Sequence, residues 1–319
     1  MLSAYRLMPD HVDALAPAVA LTQAGWIDLV HPDAAEVARV EALGHRVPPL
    51  EEMEEIEISN RLFRMGGAEY MTVVLPGLSA DGESVAGPVT FILAPERLVS
   101  VRHHAPRPFE TFPLRAGSVA AGCDTPARVF LGLLEEIVAR LADLLEGVSH
   151  QLDATARDIF SDTGGQDARE LQGLLRAVGR EGERLGRVRL ALVSVERAIS
   201  HFRQTIGGQA EAEALVAVAE GQMRDIEALG VHADFLAGRI TLATDSTLGM
   251  INLAQNATVR IVSVVAALFL PPTLIASAYG MNFANMPELD QPWGYPVALG
   301  LMLGSAIVTY LYFKWRGWM

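Results

Sequence analysis

Two long apolar segments near the C-terminus constrain this chain more than any other feature. Residues 261–278 are eighteen consecutive positions without a charge, and residues 295–313 are nineteen. A helix needs about 20 such residues to cross a bilayer, so we predict two transmembrane helices. Arg260 precedes the first segment and Lys314 follows the second, whereas only acidic charges lie between the two segments. The positive-inside rule therefore predicts that both termini are cytoplasmic and that the connecting loop lies outside.

The chain before these segments has the composition of an acidic soluble body. Residues 1–258 carry 22 basic and 36 acidic side chains, which is a net charge of −14. Such a body should repel nucleic acid and attract cations, although simple solubility explains the charge equally well. Charged residues interrupt the N-terminal 30 residues, so we expect no signal peptide. Cys123 is the only cysteine, and we interpret it as a structural thiol in a reducing compartment.

The first 125 residues predict a mixed α/β domain, because short runs rich in β-branched and aromatic residues alternate with turn signals. The predicted strands are residues 26–30, 70–75, 89–93 and 98–101, and residues 33–43 have helical spacing. We interpret the acidic run at 51–57 as a solvated helix face and His103-His104 as a surface turn. The serine, histidine and aspartate residues are framed by no nucleophile elbow or phosphate-binding glycine loop, so we expect no enzyme.

Long helices are predicted after this domain, since residues 127–270 contain no proline. Apolar residues recur at intervals of three and four, which is typical of helices packed against partner helices. Glycine pairs at 164–165 and 207–208 divide the stretch. We therefore predict two antiparallel helices, at about 126–160 and 166–205. A third helix should begin near residue 211 and continue without interruption through the first transmembrane segment.

One seam of this third helix mixes polar and small side chains into an otherwise apolar helix. Such groups are costly against lipid but acceptable against water or a neighbouring helix, so the seam predicts either a pore lining or a helix-packing face. Spacing alone does not separate the two. The seam consists of Asn252, Asn256, Val259, Ser263, Ala266, Leu270, Thr273 and Ser277.

A family resemblance adds to this interpretation. The run Tyr279-Gly280-Met281-Asn282-Phe283, followed by Met286-Pro287-Glu288-Leu289 and Trp293-Gly294-Tyr295-Pro296, resembles the signature of the CorA magnesium and cobalt transporter family. The two motifs keep their spacing between two spans, and an aromatic and basic tail follows at 312–316. Residues 269–274 and 250–252, and parts of the first 30 residues, are also similar.

The resemblance implies a homopentameric funnel in the inner membrane that takes up Mg²⁺ and also Co²⁺, with Ni²⁺ as a further candidate, and needs no organic cofactor. The first span of each subunit would line the pore. Gly280, Met281 and Asn282 would form the selectivity filter, and Glu288 would concentrate cations at the outer mouth. Leu270 would be a hydrophobic constriction. The resemblance implies that the pore-lining positions are Asn256, Val259, Val262, Ala266, Leu270 and Thr273.

Regulation by cytoplasmic Mg²⁺ bound between subunits is also implied by the resemblance. The family's regulatory site does not transfer residue by residue, so Asp225 and Asp245 on the stalk are candidates only. Asp290 stands where the family often has a basic residue, which leaves the ion preference of the mouth open. Two alternatives remain: a zinc transporter of the same superfamily, and a membrane-anchored metal sensor or scaffold that conducts nothing.

The predicted fold class is an α+β cytoplasmic domain with long coiled-coil-like stalk helices and two transmembrane helices. Membrane lipid, divalent cations and further copies of the chain are the expected partners, and nucleic acid is not. The predicted divisions are a cytoplasmic α/β domain at 1–125, a helical hairpin at 126–210, a stalk helix at 211–258, a first span at 259–278, a periplasmic loop at 279–294, a second span at 295–313 and a basic tail at 314–319.

Overall fold

A computed structural model of the chain describes residues 1–16, 21–160, 168–206, 212–281 and 291–318. The residues divide into two compact units. The first unit contains Met1–Arg157 and Ala177–Ala243, and the second contains Asp158–Arg176 and Thr244–Met319.

The first unit is built on a seven-stranded sheet with the order β2-β1-β3-β7-β6-β5-β4. All neighbouring strands are antiparallel except β3 and β7, which pair in parallel with Trp26 opposite Leu98. The strands are β1 (Leu2–Leu7), β2 (Val12–Ala14), β3 (Trp26–Val30), β4 (Leu62–Met65), β5 (Ala68–Leu78), β6 (Ser84–Leu93) and β7 (Leu98–Arg102).

Both faces of this sheet are buried, because successive side chains of a strand point to opposite faces and both kinds are apolar here. On β5, Tyr70 packs in one buried cluster and Met71 in the other. Short helices α1 (Ala34–Glu41) and α2 (Leu50–Glu54) contribute to the smaller cluster. The larger cluster includes residues of α4 (Pro108–Arg115) and of the long helices.

Four long helices follow, as the proline-free stretch and the apolar segments predict. They are α5 (Pro126–Ile159), α6 (Ala168–Thr205), α7 (Ala212–Tyr279) and α8 (Gly294–Trp315). Helix α7 is continuous over 68 residues, which corresponds to about 100 Å at 1.5 Å per residue. The predicted fold class is confirmed. The division into seven named segments stays a prediction.

Other local predictions had mixed outcomes. The four predicted strands are all present, and α1 begins at a capping box in which Asp33 accepts from the Glu36 amide at 2.8 Å. Strands β1, β2 and β4 and helices α3 (Ile58–Arg61) and α4 were not predicted, whereas α2 overlaps the acidic run at 51–57 that was interpreted as a helix face. The prediction of a surface turn at His103-His104 is wrong for His104, which is buried and hydrogen-bonded through Nε2 to the Leu75 carbonyl at 2.9 Å. Glycines at 77 and 87 leave room for its ring.

Candidate functional site

The candidate site lies on the apolar part of α7. Helices α7 and α8 both contain a stretch long and apolar enough to cross a membrane, with mean hydropathy of 2.1 and 1.7. Most side chains in these stretches are exposed in the single chain. Leu270 is 68% exposed and Val262 64% exposed. Apolar surface of this extent is unfavourable in water, so lipid or other protein chains must cover it.

The six predicted pore-lining residues all lie on α7, and all are exposed. Successive members are three or four positions apart, which places them along one side of a helix. A groove formed by Ala266, Phe269, Leu270, Thr273, Leu274 and Ser277 follows part of this side. The structure thus presents the predicted residues on an uncovered helix surface.

Hydroxyl groups on this side of α7 donate their hydrogens to carbonyl oxygens of the same helix. The Thr273 hydroxyl donates to the Phe269 carbonyl at 2.7 Å, and the Ser263 hydroxyl donates to the Val259 carbonyl at 2.8 Å. A hydroxyl oxygen has one donor and two acceptor lone pairs. With the donor occupied, each oxygen can still accept a hydrogen bond from water. The side is therefore suited to a hydrated cation, whose water hydrogens point outwards.

Two consecutive prolines lie inside α7, next to Leu270. Pro271 and Pro272 have no amide hydrogen, so the carbonyl oxygens of Ala267 and Leu268 receive no hydrogen bond from the residue four positions later. Two backbone acceptors are thus freed close to the predicted constriction. Both prolines belong to the segment 269–274, which resembles the family.

The predicted filter begins where α7 ends. Gly280 follows the last helical residue, Tyr279, and its amide donates to the Ala276 carbonyl at 2.9 Å. A β-carbon at residue 280 would lie 3.1 Å from that same oxygen, which is a tight contact. Met281 is half exposed. Asn282 and Glu288, with the rest of 282–290, lie outside the described residues.

The C-terminal end of α8 carries aromatic and basic groups together. Lys314 lies over the Tyr310 ring at 6.0 Å, and Phe313 stacks on Trp318 with ring centroids 5.6 Å apart. Aromatic and basic side chains are enriched where a transmembrane helix meets the lipid headgroups. The arrangement fits the predicted end of the second span.

The two regulatory candidates lie on different parts of α7, and both are exposed. Burial raises the pKa of Glu135 on α5, and the carboxylates of Glu136 and Asp225 raise it further. The contribution of Asp225 is the smallest of these, and the Ala120 amide and Arg115 act in the opposite direction. Two carboxylates suit Mg²⁺, which keeps several of its waters and takes few protein ligands. Among the described residues of one chain, no group of three or more metal-binding side chains is present.

The fold and the two exposed apolar helices define a class of protein: an integral membrane protein with two spans near its C-terminus and an α/β body before them. The family model of the CorA-like Mg²⁺ transporter protein matches residues 22–315. The chain belongs to this family. Its membership and its two apolar helices confirm the predicted membrane localisation.

Individual relatives are similar over their whole length. The chain is 33% identical to the magnesium transport proteins CorA of Salmonella typhimurium and Escherichia coli K12, over 100% of each sequence. Its fold is similar to that of the CorA magnesium transporter from Methanocaldococcus jannaschii, with a TM-score of 0.75, 16% identity and coverage of 100% and 99% of the two chains. The ZntB cytoplasmic domain from Vibrio parahaemolyticus has a TM-score of 0.56 at 12% identity, over 78% of this chain and 97% of that one.

Proposed function

We propose that this protein is a homopentameric channel that admits Mg²⁺ across the inner membrane and closes when cytoplasmic Mg²⁺ is high. Co²⁺ and Ni²⁺ are further candidate substrates. The observation that carries the proposal is the uncovered side of α7, with its six predicted pore residues, in a chain 33% identical over its full length to proteins named for magnesium transport. One helix cannot enclose a pore, so several copies of α7 are required.

The pore side of α7 supplies acceptors rather than charges. The Thr273 and Ser263 oxygens can accept from the waters of a hydrated ion, because their own hydrogens are bonded within the helix. Mg²⁺ loses its waters reluctantly, so neutral acceptors allow passage without tight binding. Leu270 is the constriction in this proposal, and loss of water from an apolar ring there would stop ions.

The filter at the outer end would also contact the ion through neutral hydrogen-bonding groups. A ring of Asn282 amides would hold the hydrated ion through its waters, next to the turn at Gly280. Glu288 in the periplasmic loop would raise the local cation concentration. The driving force is large, at about 4.6 kcal/mol per 100 mV for a divalent ion, because each charge contributes about 2.3 kcal/mol. No energy-supplying cofactor is needed.

Regulation is assigned to Asp225 and Asp245. A cation bound by these carboxylates and by acidic groups of a neighbouring copy would stabilise the closed state. The interaction between Asp225 and Glu135 supports the first candidate, because a cation there would relieve repulsion between like charges. Asp245 is supported only by its exposure on α7.

Ion flux into liposomes tests the proposal. Purified full-length protein is reconstituted with an internal Mg²⁺-sensitive dye and a membrane potential is applied. A second series uses an internal Zn²⁺-sensitive dye, and Zn²⁺ is also added as a competitor of Mg²⁺. Mg²⁺ entry that depends on the potential is expected. Entry of Zn²⁺ without Mg²⁺ would favour the zinc transporter, and absence of any flux from intact oligomers would favour the sensor or scaffold.

A further inference from the structure

An arginine-lined cavity in the first unit lies outside everything that the transport proposal uses. Its volume is about 570 Å³, and it is bounded by the β5–β6 hairpin, the start of α4, and the middle of α5 and α6. We propose that this cavity binds a small organic molecule that carries phosphate groups, such as a nucleotide. The arginines that line it are Arg107, Arg140, Arg184 and Arg187.

The cavity gathers four arginines within an acidic body. Four arginines and two carboxylates, Glu110 and Asp143, line it, and two further carboxylates, Glu181 and Glu183, pair with Arg184 and Arg187. Residues 1–258 as a whole have a net charge of −14. Arg107 and Arg140, which lack a close carboxylate partner among the described residues, are the guanidinium groups that can attract an anion to that place. Guanidinium groups also match the geometry of phosphate, because they donate two parallel hydrogen bonds.

Several arginine donors remain available to a ligand. The guanidinium of Arg107 has no partner among the described residues, and Arg140 reaches Asp143 only at 3.7 Å. Arg187 is held in place by the Ser84 carbonyl and by Glu183 at 3.2 Å, and Arg184 pairs with Glu181 at 3.2 Å. The cavity therefore combines two paired arginines with two that can adjust.

Apolar side chains complete the lining and indicate an organic ligand. Leu144, Val148 and Val188 line the cavity, together with Leu78, which is 52% exposed. Exposed leucine beside arginine suits a molecule with an apolar or aromatic part next to its phosphate. The volume falls within the roughly 300–1,000 Å³ that is common for small-molecule sites. A nucleotide has both an aromatic base and phosphate groups.

Gly147 offers a sharp test, because it lines the cavity on α5 and a β-carbon there would meet nothing within 4 Å. Gly147→Glu adds a carboxylate to the cavity, and Gly147→Gln adds a side chain of the same size without charge. Glutamate and glutamine both have a higher helix propensity than glycine, so α5 should still fold in both variants. Binding of ATP, AMP and inorganic phosphate is measured by calorimetry on full-length protein in EDTA, which removes Mg²⁺. We expect saturable binding of ATP and AMP that is at least about tenfold weaker in Gly147→Glu than in Gly147→Gln.

A second pair of variants tests the arginines. Arg107→Gln combined with Arg140→Gln should weaken ATP binding by about tenfold or more, because two donors are lost. Arg197→Gln is the control, since it removes the same kind of charge from an exposed position of α6 outside the cavity. Equal weakening in the control, equal binding in the two Gly147 variants, or no saturable binding of any nucleotide would overturn the proposal. The site lies wholly in the first unit, so these outcomes do not depend on whether the protein conducts Mg²⁺.

Discussion

The hydroxyl of Thr273 donates a hydrogen bond to the carbonyl of Phe269, 2.7 Å away and one turn earlier on α7. This bond occupies the only hydroxyl hydrogen of Thr273 and leaves its oxygen free to accept. The same arrangement recurs at Ser263. In an apolar helix that is exposed in the single chain, such oxygens are the side-chain groups best placed to contact the waters of a cation.

Thr273 should therefore contribute to conduction through its oxygen. Thr273→Val keeps the size and branching of the side chain but removes the acceptor. We expect Mg²⁺ flux per oligomer to fall at least about fivefold, since one hydrogen bond contributes roughly 1 kcal/mol. Thr273→Ser retains the oxygen and should conduct like the unmodified protein. Equal flux in the valine and serine variants would place Thr273 outside the pore.

Leu270 should act as the gate. Leu270→Ser makes the constriction easier to hydrate, so a leak is expected at high internal Mg²⁺, when the unmodified channel is closed. The measurement is liposome flux with Mg²⁺ on the internal side. Leu303→Ser on α8 is a matched control, because Leu303 is also exposed, at 67%, but lies outside the groove on α7 and was not predicted to line the pore. If Leu270→Ser still closes fully, Val259 or Val262 becomes the candidate gate.

Asn282 should hold the hydrated ion by neutral hydrogen bonds. Asn282→Ala removes an amide from every subunit, and each lost contact is worth on the order of 1 kcal/mol, so flux should fall severely. Asn282→Asp should instead bind cations more tightly, release them slowly and admit ions that lose water more easily. Oligomer size in detergent is measured beside flux. Intact oligomers without flux support a filter, whereas dissociation of both variants would mean that Asn282 only folds the loop.

The regulatory candidates are tested by removing their charge. Asp225→Asn and Asp245→Asn should each make the flux less sensitive to inhibition by internal Mg²⁺ if the residue binds the closing cation. Glu135→Gln is informative beside Asp225→Asn, because the charges of these two residues interact. The readout is the internal Mg²⁺ concentration that halves the flux. An unchanged value in both aspartate variants would remove them as candidates.

His104 should make the stability of the body depend on pH. Burial lowers the pKa of His104, the hydrogen bond to the Leu75 carbonyl opposes this, and the neighbouring Arg102, His31 and His103 side chains lower it further. The unfolded chain therefore takes up a proton near the ordinary value of about 6.5, while the folded chain stays neutral there. The stabilising contribution is complete above that pH and is lost as pH falls towards the folded pKa.

Thermal unfolding between pH 7.5 and about 5 measures this effect. His104→Gln can still donate to the Leu75 carbonyl but cannot titrate, so its melting temperature should fall less than that of the unmodified protein. His150→Gln replaces an exposed histidine and is the control. A pH dependence of His104→Gln equal to that of the control would mean that other groups carry it.

The long helices could be predicted from sequence because the patterns that specify them involve neighbouring residues. A stretch of 144 residues without proline, with apolar residues every three or four positions, predicts helices whatever elements those helices pack against. The same holds for the two apolar segments, and the bounds of α5 to α8 agree closely with prediction. The pore-lining assignments also came from sequence, through resemblance, and remain predictions, as do Asn282 and Glu288.

Pairing between distant parts of the chain was decided only by the tertiary structure. Strand β3 pairs in parallel with β7, about 70 residues later, and this pairing brings Asp28 to within 2.8 Å of Arg102 in the buried sheet. The sequence around His104 suggested a turn, but contacts with two distant strands bury it. Short strands such as β2 have too little pattern of their own to be recognised.

The arginine-lined cavity also depends on contacts between distant parts of the chain. Its residues come from β5, β6, α4, α5 and α6, and no local motif connects them. Sequence by itself determined the helices and the apolar spans, because hydrophobic periodicity and segment length act over neighbouring residues. Tertiary structure alone decided the sheet order, the burial of His104 and the grouping of Arg107 with Arg187, because these depend on contacts between residues far apart in the chain.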